Sequence, residues 1–334
     1  MVSHGAPRSS HQCLTEVALS QGFYEDGGAV VGSVGGRELR SQMAQMSDWS
    51  GEPRLRGNGL LRESGEGAGL TWSMRSDRGL VREANEDYAS VADGQETLDG
   101  LLFLVADGLG GHDAGEVASR LAVETAVATW RASTDKPIKN RLRNAFRLAN
   151  QAVFDEALRC HQNGMATTLT TLAVASGTAL VAHVGDSRCY LVRGRKVEQL
   201  TTDHSQVGEM MRRGLISPAE AASHPARSVL TRCLGRELTI SPDVTQRQLV
   251  KDDVLILCSD GLWDLISPQE MVQALHDEVG DPAIQAANVV EELNKLAIYR
   301  GAPDNVTIMI IRVNEQQVPT QAAITPGRWF RRSS

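Results

Sequence analysis

Two pairs of strand candidates, each separated by only three residues, constrain the fold of this chain most. Residues 168–175 meet 179–184 across Ser176-Gly177-Thr178, and 189–192 meet 196–200 across Arg193-Gly194-Arg195. Gaps this short close antiparallel hairpins, whereas parallel neighbours need a crossover of a dozen or more residues. Further strand-length runs lie at 101–106, 254–258 and 306–311. Two long helical patterns precede the hairpins. Residues 114–131 set Val117, Ala118, Leu121 and Ala122 on one face, and 138–158 do the same with Leu142, Ala145, Phe146, Ala149, Ala152 and Val153. Two consecutive helices followed by hairpins predict an α+β chain of antiparallel sheet covered by helices, not a doubly wound parallel sheet.

The pattern is confined to the middle of the chain. Residues 1–68 hold 12 of the 31 glycines with many Ser, Arg and Glu and little periodicity, so they are expected to be a disordered extension. The folded domain is expected over 69–313. Residues 314–334 lose the pattern and end in Arg328, Arg331 and Arg332, as a solvated basic tail does.

Composition removes several function classes. A net charge of −7 argues against a nucleic-acid binder or an anionic-membrane binder. No apolar run reaches the roughly 20 residues of a membrane span, and the amino terminus shows no continuous apolar leader. The cysteines, Cys13, Cys160, Cys189, Cys233 and Cys258, have no zinc-type spacing and read as reduced thiols, so the expected location is the cytoplasm. No GxxxxGK phosphate loop is present.

Four acidic positions flank strongly apolar strands: LLFLVA-Asp107-Gly108, ALVAHVG-Asp186, VLILCS-Asp260-Gly261 and Asp304-Asn305-VTIMII. Any one Asp-Gly is most simply a turn. Together they place carboxylates where a rigid sheet can converge them, and carboxylates with a backbone carbonyl suit hard ions such as Mg²⁺ or Mn²⁺. The run SDRGLVREANED adds Arg82 beside Glu86 and Asp87. A guanidinium beside such carboxylates matches the oxygens of a phosphate monoester.

The chain resembles the bacterial branch of the type 2C, or PPM, metal-dependent protein serine/threonine phosphatases from about Leu70 to Val313. The likeness rests on SDRGLVREANED, VADGLGGHDAGEVAS, GMATTLT, VGDSRCYL, LTTDHS, SHPARSVLTRCLG, CSDGLWD and APDNVTIMII, in family order. The resemblance implies a four-layer α-β-β-α sandwich and a centre of two Mn²⁺ or Mg²⁺ ions per subunit. Asp107 would bridge the ions, the Gly108 carbonyl would bind one, and Asp260 and Asp304 the other. Glu86 and Asp87 would act through water, with Asn305 supporting Asp304, and Arg82 would orient the phosphoryl group. Phosphoproteins would be the substrates, with a serine/threonine kinase as the opposing partner.

Other residues have competing readings. His112 is the candidate for protonating the leaving oxygen, with a structural hydrogen bond as the alternative. Asp186 and Arg188 are expected to fix turns near the site, and His183 and His276 to be ordinary side chains. Asn163 stands where many relatives carry an Asp for a weak third ion, which a neutral amide would hold poorly. Residues 203–224 are expected to form a flap beside the site. The rival readings are a small-molecule phosphatase using the same carboxylates and an inactive binding module, the latter opposed by the presence of Arg82, Asp107, Asp260 and Asp304.

Overall fold

A computed structural model describes residues 60–93, 100–110, 114–133, 137–162, 164–277 and 281–315. Its strands are β1 (Leu60–Gly67), β2 (Leu70–Asp77), β3 (Asp87–Asp93), β4 (Leu101–Leu109), β5 (Ala166–Thr167), β6 (Leu169–Ala175), β7 (Thr178–Val184), β8 (Arg188–Arg193), β9 (Lys196–Gln199), β10 (Asp243–Gln248), β11 (Val254–Cys258) and β12 (Val306–Val313). The helices are α1 (Ala114–Ala132), α2 (Ile138–Arg159), α3 (Gln206–Arg212), α4 (Pro218–Ala222), α5 (Asp260–Trp263), α6 (Pro268–Asp277) and α7 (Pro282–Tyr299). One sheet runs β1-β2-β12-β11-β8-β9 and the other β10-β7-β6-β4-β3, with β5 joined to β4. Every strand pair is antiparallel.

Strand alternation divides the core into three layers of side chains. Phe103 and Val105 of β4, Leu255 and Leu257 of β11 and Met309 and Ile311 of β12 meet between the sheets. The residues between them face outward. Leu102, Leu104 and Ala106 pack under α1 and α2 with Trp130, Leu142 and Phe146, while Ile256, Ile308 and Ile310 pack under α6 and α7 with Leu275, Val289 and Leu293. This is the expected four-layer α-β-β-α sandwich, with both expected hairpins in place as β6–β7 and β8–β9.

The expected domain start at residue 69 is corrected by β1. It pairs with β2 along its whole length, from Leu60 opposite Asp77 to Gly67 opposite Leu70. Ala68 and Gly69 both take positive φ, 50° and 71°, and close a tight hairpin between them. A strand reading LLRESGEG carries no apolar alternation to announce itself. It is held instead by its ladder, by the ion pair of Arg62 with Glu291 in α7, and by contact with Trp72, whose indole a Cβ at Gly65 would strike at 2.6 Å. The remainder of the supposed extension, residues 1–59, lies outside the described residues, as does the basic tail from residue 316. No described helix is long and apolar enough to cross a membrane.

Candidate active site

Asp87 and Asp107 face each other across the β3–β4 ladder. Asp107 is anchored through its backbone. Its N–H donates to Thr168 Oγ1 at 2.9 Å, and its carbonyl accepts from the Thr168 N–H at 2.9 Å and from Thr167 Oγ1 at 2.8 Å. Gly108 follows in a space only glycine fits, because a Cβ there would lie 2.1 Å from the Gly115 carbonyl oxygen and 2.6 Å from that of Glu86. Its N–H donates to the Glu86 carbonyl at 3.1 Å, so Asp107, Gly108, Glu86 and the start of α1 form one fixed unit.

Asp260 opens α5, one residue beyond the end of β11. The next residue lets this short helix dock on β12, since a Cβ at Gly261 would meet the Asn305 carbonyl at 2.0 Å. Asp260 Oδ1 is buried with no hydrogen-bond partner. Asp304 precedes β12, and its Oδ2 accepts from Arg82 Nη2 at 2.7 Å. Asn305 pins the Arg82 loop at both ends: its Nδ2 donates to the carbonyls of Arg78 and Ala84, each at 2.9 Å, and its Oδ1 accepts from the Glu86 N–H at 2.8 Å. Its support of Asp304 comes through its backbone N–H, which donates to Asp304 Oδ1 at 2.8 Å.

The electrostatics mark this as a place built for positive charge. Burial, and then repulsion from Asp260, pushes Asp107 well above the ordinary carboxylate range. Asp186 is raised in the same way, by burial and then Asp260. Asp260 is raised to about 7 by burial and the charge of Asp304. Asp87 is raised to about 8 by burial, although hydroxyls of Thr307 and Ser259 donate to its Oδ2 at 2.6 and 2.7 Å. Burial and mutual repulsion thus raise all four carboxyls, of which Asp87 and Asp186 are buried residues and Asp107 and Asp260 keep part of their surface open. Among the described residues no three acid, His or Cys side chains stand close enough together, as arranged here, to hold a metal ion. The carboxyls are gathered, and Asp304 is engaged by Arg82.

The expected residues Arg82, Glu86, Asp87, Asp107, Gly108, Asp260 and Asp304 thus surround one region. His112 and Asn163 lie outside the described residues. The sequence reading passed over Ser259, Thr307 and Thr168, the hydroxyls that hold Asp87 and Asp107. The signal was available in Ser259 directly before Asp260 and Thr307 two residues after Asn305. Arg188 forks onto Asp203, the first residue of the expected flap, at 2.6 and 3.0 Å and stacks on Trp263 at 3.6 Å. Trp263 Nε1 in turn donates to the Asp186 carbonyl at 3.1 Å, tying the Asp186 turn to α5. A cavity of about 370 Å³ lies against this anchor, lined by Val207 and Met211 of α3 and by Arg188, Asp203, Trp263 and Asp264. His183 is buried, bonded to Thr170 Oγ1 at 2.8 Å and held down to about 3 by burial and the neighbouring His204, so it is a structural side chain.

Known proteins are similar to this chain in sequence and fold. Residues 81–296 match the family model described as protein phosphatase 2C. Over 254 residues the chain is 35% identical to the protein phosphatase PhpP of Streptococcus pneumoniae, covering 73% of this chain and 98% of that protein. It is 39% identical over 249 residues to the serine/threonine protein phosphatase PstP of Mycobacterium tuberculosis, covering 73% of this chain and 45% of PstP. A crystal structure of the catalytic domain of PstP in complex with two manganese ions superposes with a TM-score of 0.63 at 34% identity, covering 74% of this chain and 99% of that one. With the sandwich, the strand-end carboxylates and the arginine all in family order, the chain belongs to the protein phosphatase 2C family, the metal-dependent phosphatases of protein serine and threonine.

Proposed function

We propose that this chain hydrolyses phosphoserine and phosphothreonine monoesters at the site bounded by Asp107, Asp260, Asp304 and Arg82, using two Mn²⁺ or Mg²⁺ ions. The observation that carries the reading is the gathering of mutually repelling carboxyls beside a guanidinium, with Asp260 Oδ1 buried and without a partner. Oxygen donors of this kind fit a hard divalent ion. Asp107, the Gly108 carbonyl, Asp260 and Asp304 are the residues that would hold the ions, with Glu86 and Asp87 supporting through water. Bound there, the ions would acidify the attacking water and offset charge on the phosphoryl oxygens.

The chain's own groups do the rest. Arg82, half-exposed and already aimed at Asp304, orients the phosphoryl group through its planar fork and opposes charge building on its oxygens. Ser259 and Thr307 hold the Asp87 carboxyl in place, and Thr167 and Thr168 fix the backbone of Asp107. His112 is the group proposed to return a proton to the leaving serine or threonine oxygen. In the cell the enzyme would oppose a serine/threonine kinase in the cytoplasm. The test is hydrolysis of a phosphothreonine peptide and of p-nitrophenyl phosphate with Mn²⁺, with Mg²⁺ and with EDTA. Turnover of both substrates with either ion and none with EDTA is expected; undiminished turnover in EDTA would refute the assignment.

A further inference from the structure

Asp77 ends β2, is only 1% exposed, and accepts from three donors. Its Oδ2 takes Arg75 Nη2 at 2.9 Å and Asn294 Nδ2 of α7 at 3.3 Å, and its Oδ1 takes the Gly79 N–H at 3.0 Å. Arg75 in turn donates through Nη1 to Glu291 of α7 at 2.7 Å, and Glu291 also pairs with Arg62 of β1. A line of charged groups therefore runs from the edge strand and the outer helix to a single backbone N–H. That N–H belongs to the loop that carries Arg82, three residues further on. Gly79, at φ +75°, lies so close to residues 302–304 that a Cβ would sit 2.3 Å from the Asp304 carbonyl oxygen and 2.7 Å from that of Ala302. Such a contact limits how near the loop can come but does not hold it there. The near end is held by the Asp77–Gly79 bond, by the Leu80 N–H on the Ala302 carbonyl at 3.0 Å and by Asn305 on the Arg78 carbonyl at 2.9 Å. A bond to a carboxylate is roughly twice as strong as one between neutral groups, so Asp77 is the firmest of these ties.

We propose, resting on the reading of Arg82 as the group that grips the phosphoryl oxygens, that Asp77 is a positioning residue for Arg82. Through the Gly79 N–H it sets where the loop leaves β2, and so where the guanidinium stands relative to Asp304. Arg75 and Asn294 keep the carboxylate aimed at that N–H, and Glu291 keeps Arg75 in place. The effect of Asp77 on the reaction passes through Arg82. Shifting a positioned group by about 1 Å can cost on the order of a hundredfold in rate, and a loop re-seated by part of that distance should cost about tenfold.

The test is a double-mutant cycle on the Mn²⁺-loaded full chain: wild type, Asp77→Ala, Arg82→Ala and the two together. Each is assayed on p-nitrophenyl phosphate and for inhibition by inorganic phosphate, with Mn²⁺ stoichiometry and thermal melting measured alongside. Asp77→Ala should lower kcat/KM about tenfold and weaken phosphate inhibition about tenfold while both ions stay bound. In the Arg82→Ala background the same substitution should change either quantity by less than about twofold, because the group it positions is already gone. Wild-type rates and phosphate inhibition in Asp77→Ala, a loss that multiplies with that of Arg82→Ala, or a loss of Mn²⁺ would each overturn the positioning role. Undiminished turnover and phosphate inhibition in Arg82→Ala alone would instead overturn the phosphate-binding reading, and the role of Asp77 with it. Should Asp77→Ala not melt cooperatively, Asp77→Asn, which keeps the size of the side chain and removes the charge that Arg75 grips, carries the same cycle against the same outcomes.

Discussion

Asn305 shows how much of the site is set by a single side chain that never touches the reaction. Its amide spans the Arg82 loop from Arg78 to Glu86, while its backbone N–H steadies Asp304, so the arginine and the acid it faces are positioned by one residue. Arg82 is free to trade Asp304 for a phosphoryl group because it is half-exposed and its backbone is already held. Arg82→Ala is therefore expected to lower kcat/KM for a phosphothreonine peptide by roughly one to three orders of magnitude, the scale of losing one charge-assisted contact to a transferring phosphoryl group. Mn²⁺ affinity, read by calorimetry on the same protein, should change little; a large loss of Mn²⁺ binding would make Arg82 part of the ion site's framework. The acids and Arg82 were legible in sequence because Asp residues at strand ends and an Arg close to acids are local patterns. The roles of Asn305, Ser259 and Thr307 depend on partners some 170 to 230 residues away in the chain, as the bonds from Ser259 and Thr307 to Asp87 illustrate. No local pattern reveals such partners.

Strands differ in how openly they declare themselves. β4, β11 and β12 are buried on both faces and read as continuous apolar runs. β1 lies at the edge of its sheet, with a largely exposed outer half and two glycines in LLRESGEG, and only its pairing makes it a strand. β10, at the edge of the other sheet, is equally polar and was equally silent. β1 nevertheless covers Trp72 and completes the Arg62–Glu291–Arg75–Asp77 chain of ion pairs. Uncovering about 80 Å² of the Trp72 ring alone would cost about 2 kcal/mol. A chain beginning at Gly69 should consequently melt roughly 4–8 °C below one beginning at Asn58, as measured by thermal unfolding. Equal melting temperatures would mean that β1 adds nothing to the stability of the sandwich.

For the whole molecule, the gathering of acids ties folding to pH and to metal. Burial and mutual repulsion hold Asp87 at about 8 and Asp260 at about 7, above the value near 4 of an unfolded aspartate. Between those limits the native metal-free chain keeps protons that the unfolded chain has released, so these groups' contribution to stability is full at about pH 4 and is lost as pH rises to about 8. The melting temperature of the EDTA-treated protein should accordingly fall between pH 6 and pH 8. Saturating Mn²⁺, which favours the deprotonated carboxylates, should remove or reverse that fall. At a hundredfold excess over Kd, each ion bound only by the native state adds about 2.7 kcal/mol, or roughly 5–10 °C for a domain of this size. A melting temperature that falls equally with and without Mn²⁺ would detach the pH dependence from the acid cluster.

The central claim is that Asp107, with Asp260 and Asp304, holds the ions on which hydrolysis depends, and it is tested most directly by measuring Mn²⁺ stoichiometry and phosphothreonine-peptide turnover together in wild type and Asp107→Asn. Asparagine preserves the size of the side chain and removes the charge that both ions would share. Two Mn²⁺ per wild-type chain, fewer than two in the variant, and turnover reduced to near background in a protein that still melts cooperatively are the expected result. Two tightly bound ions and substantial turnover in Asp107→Asn would contradict the account.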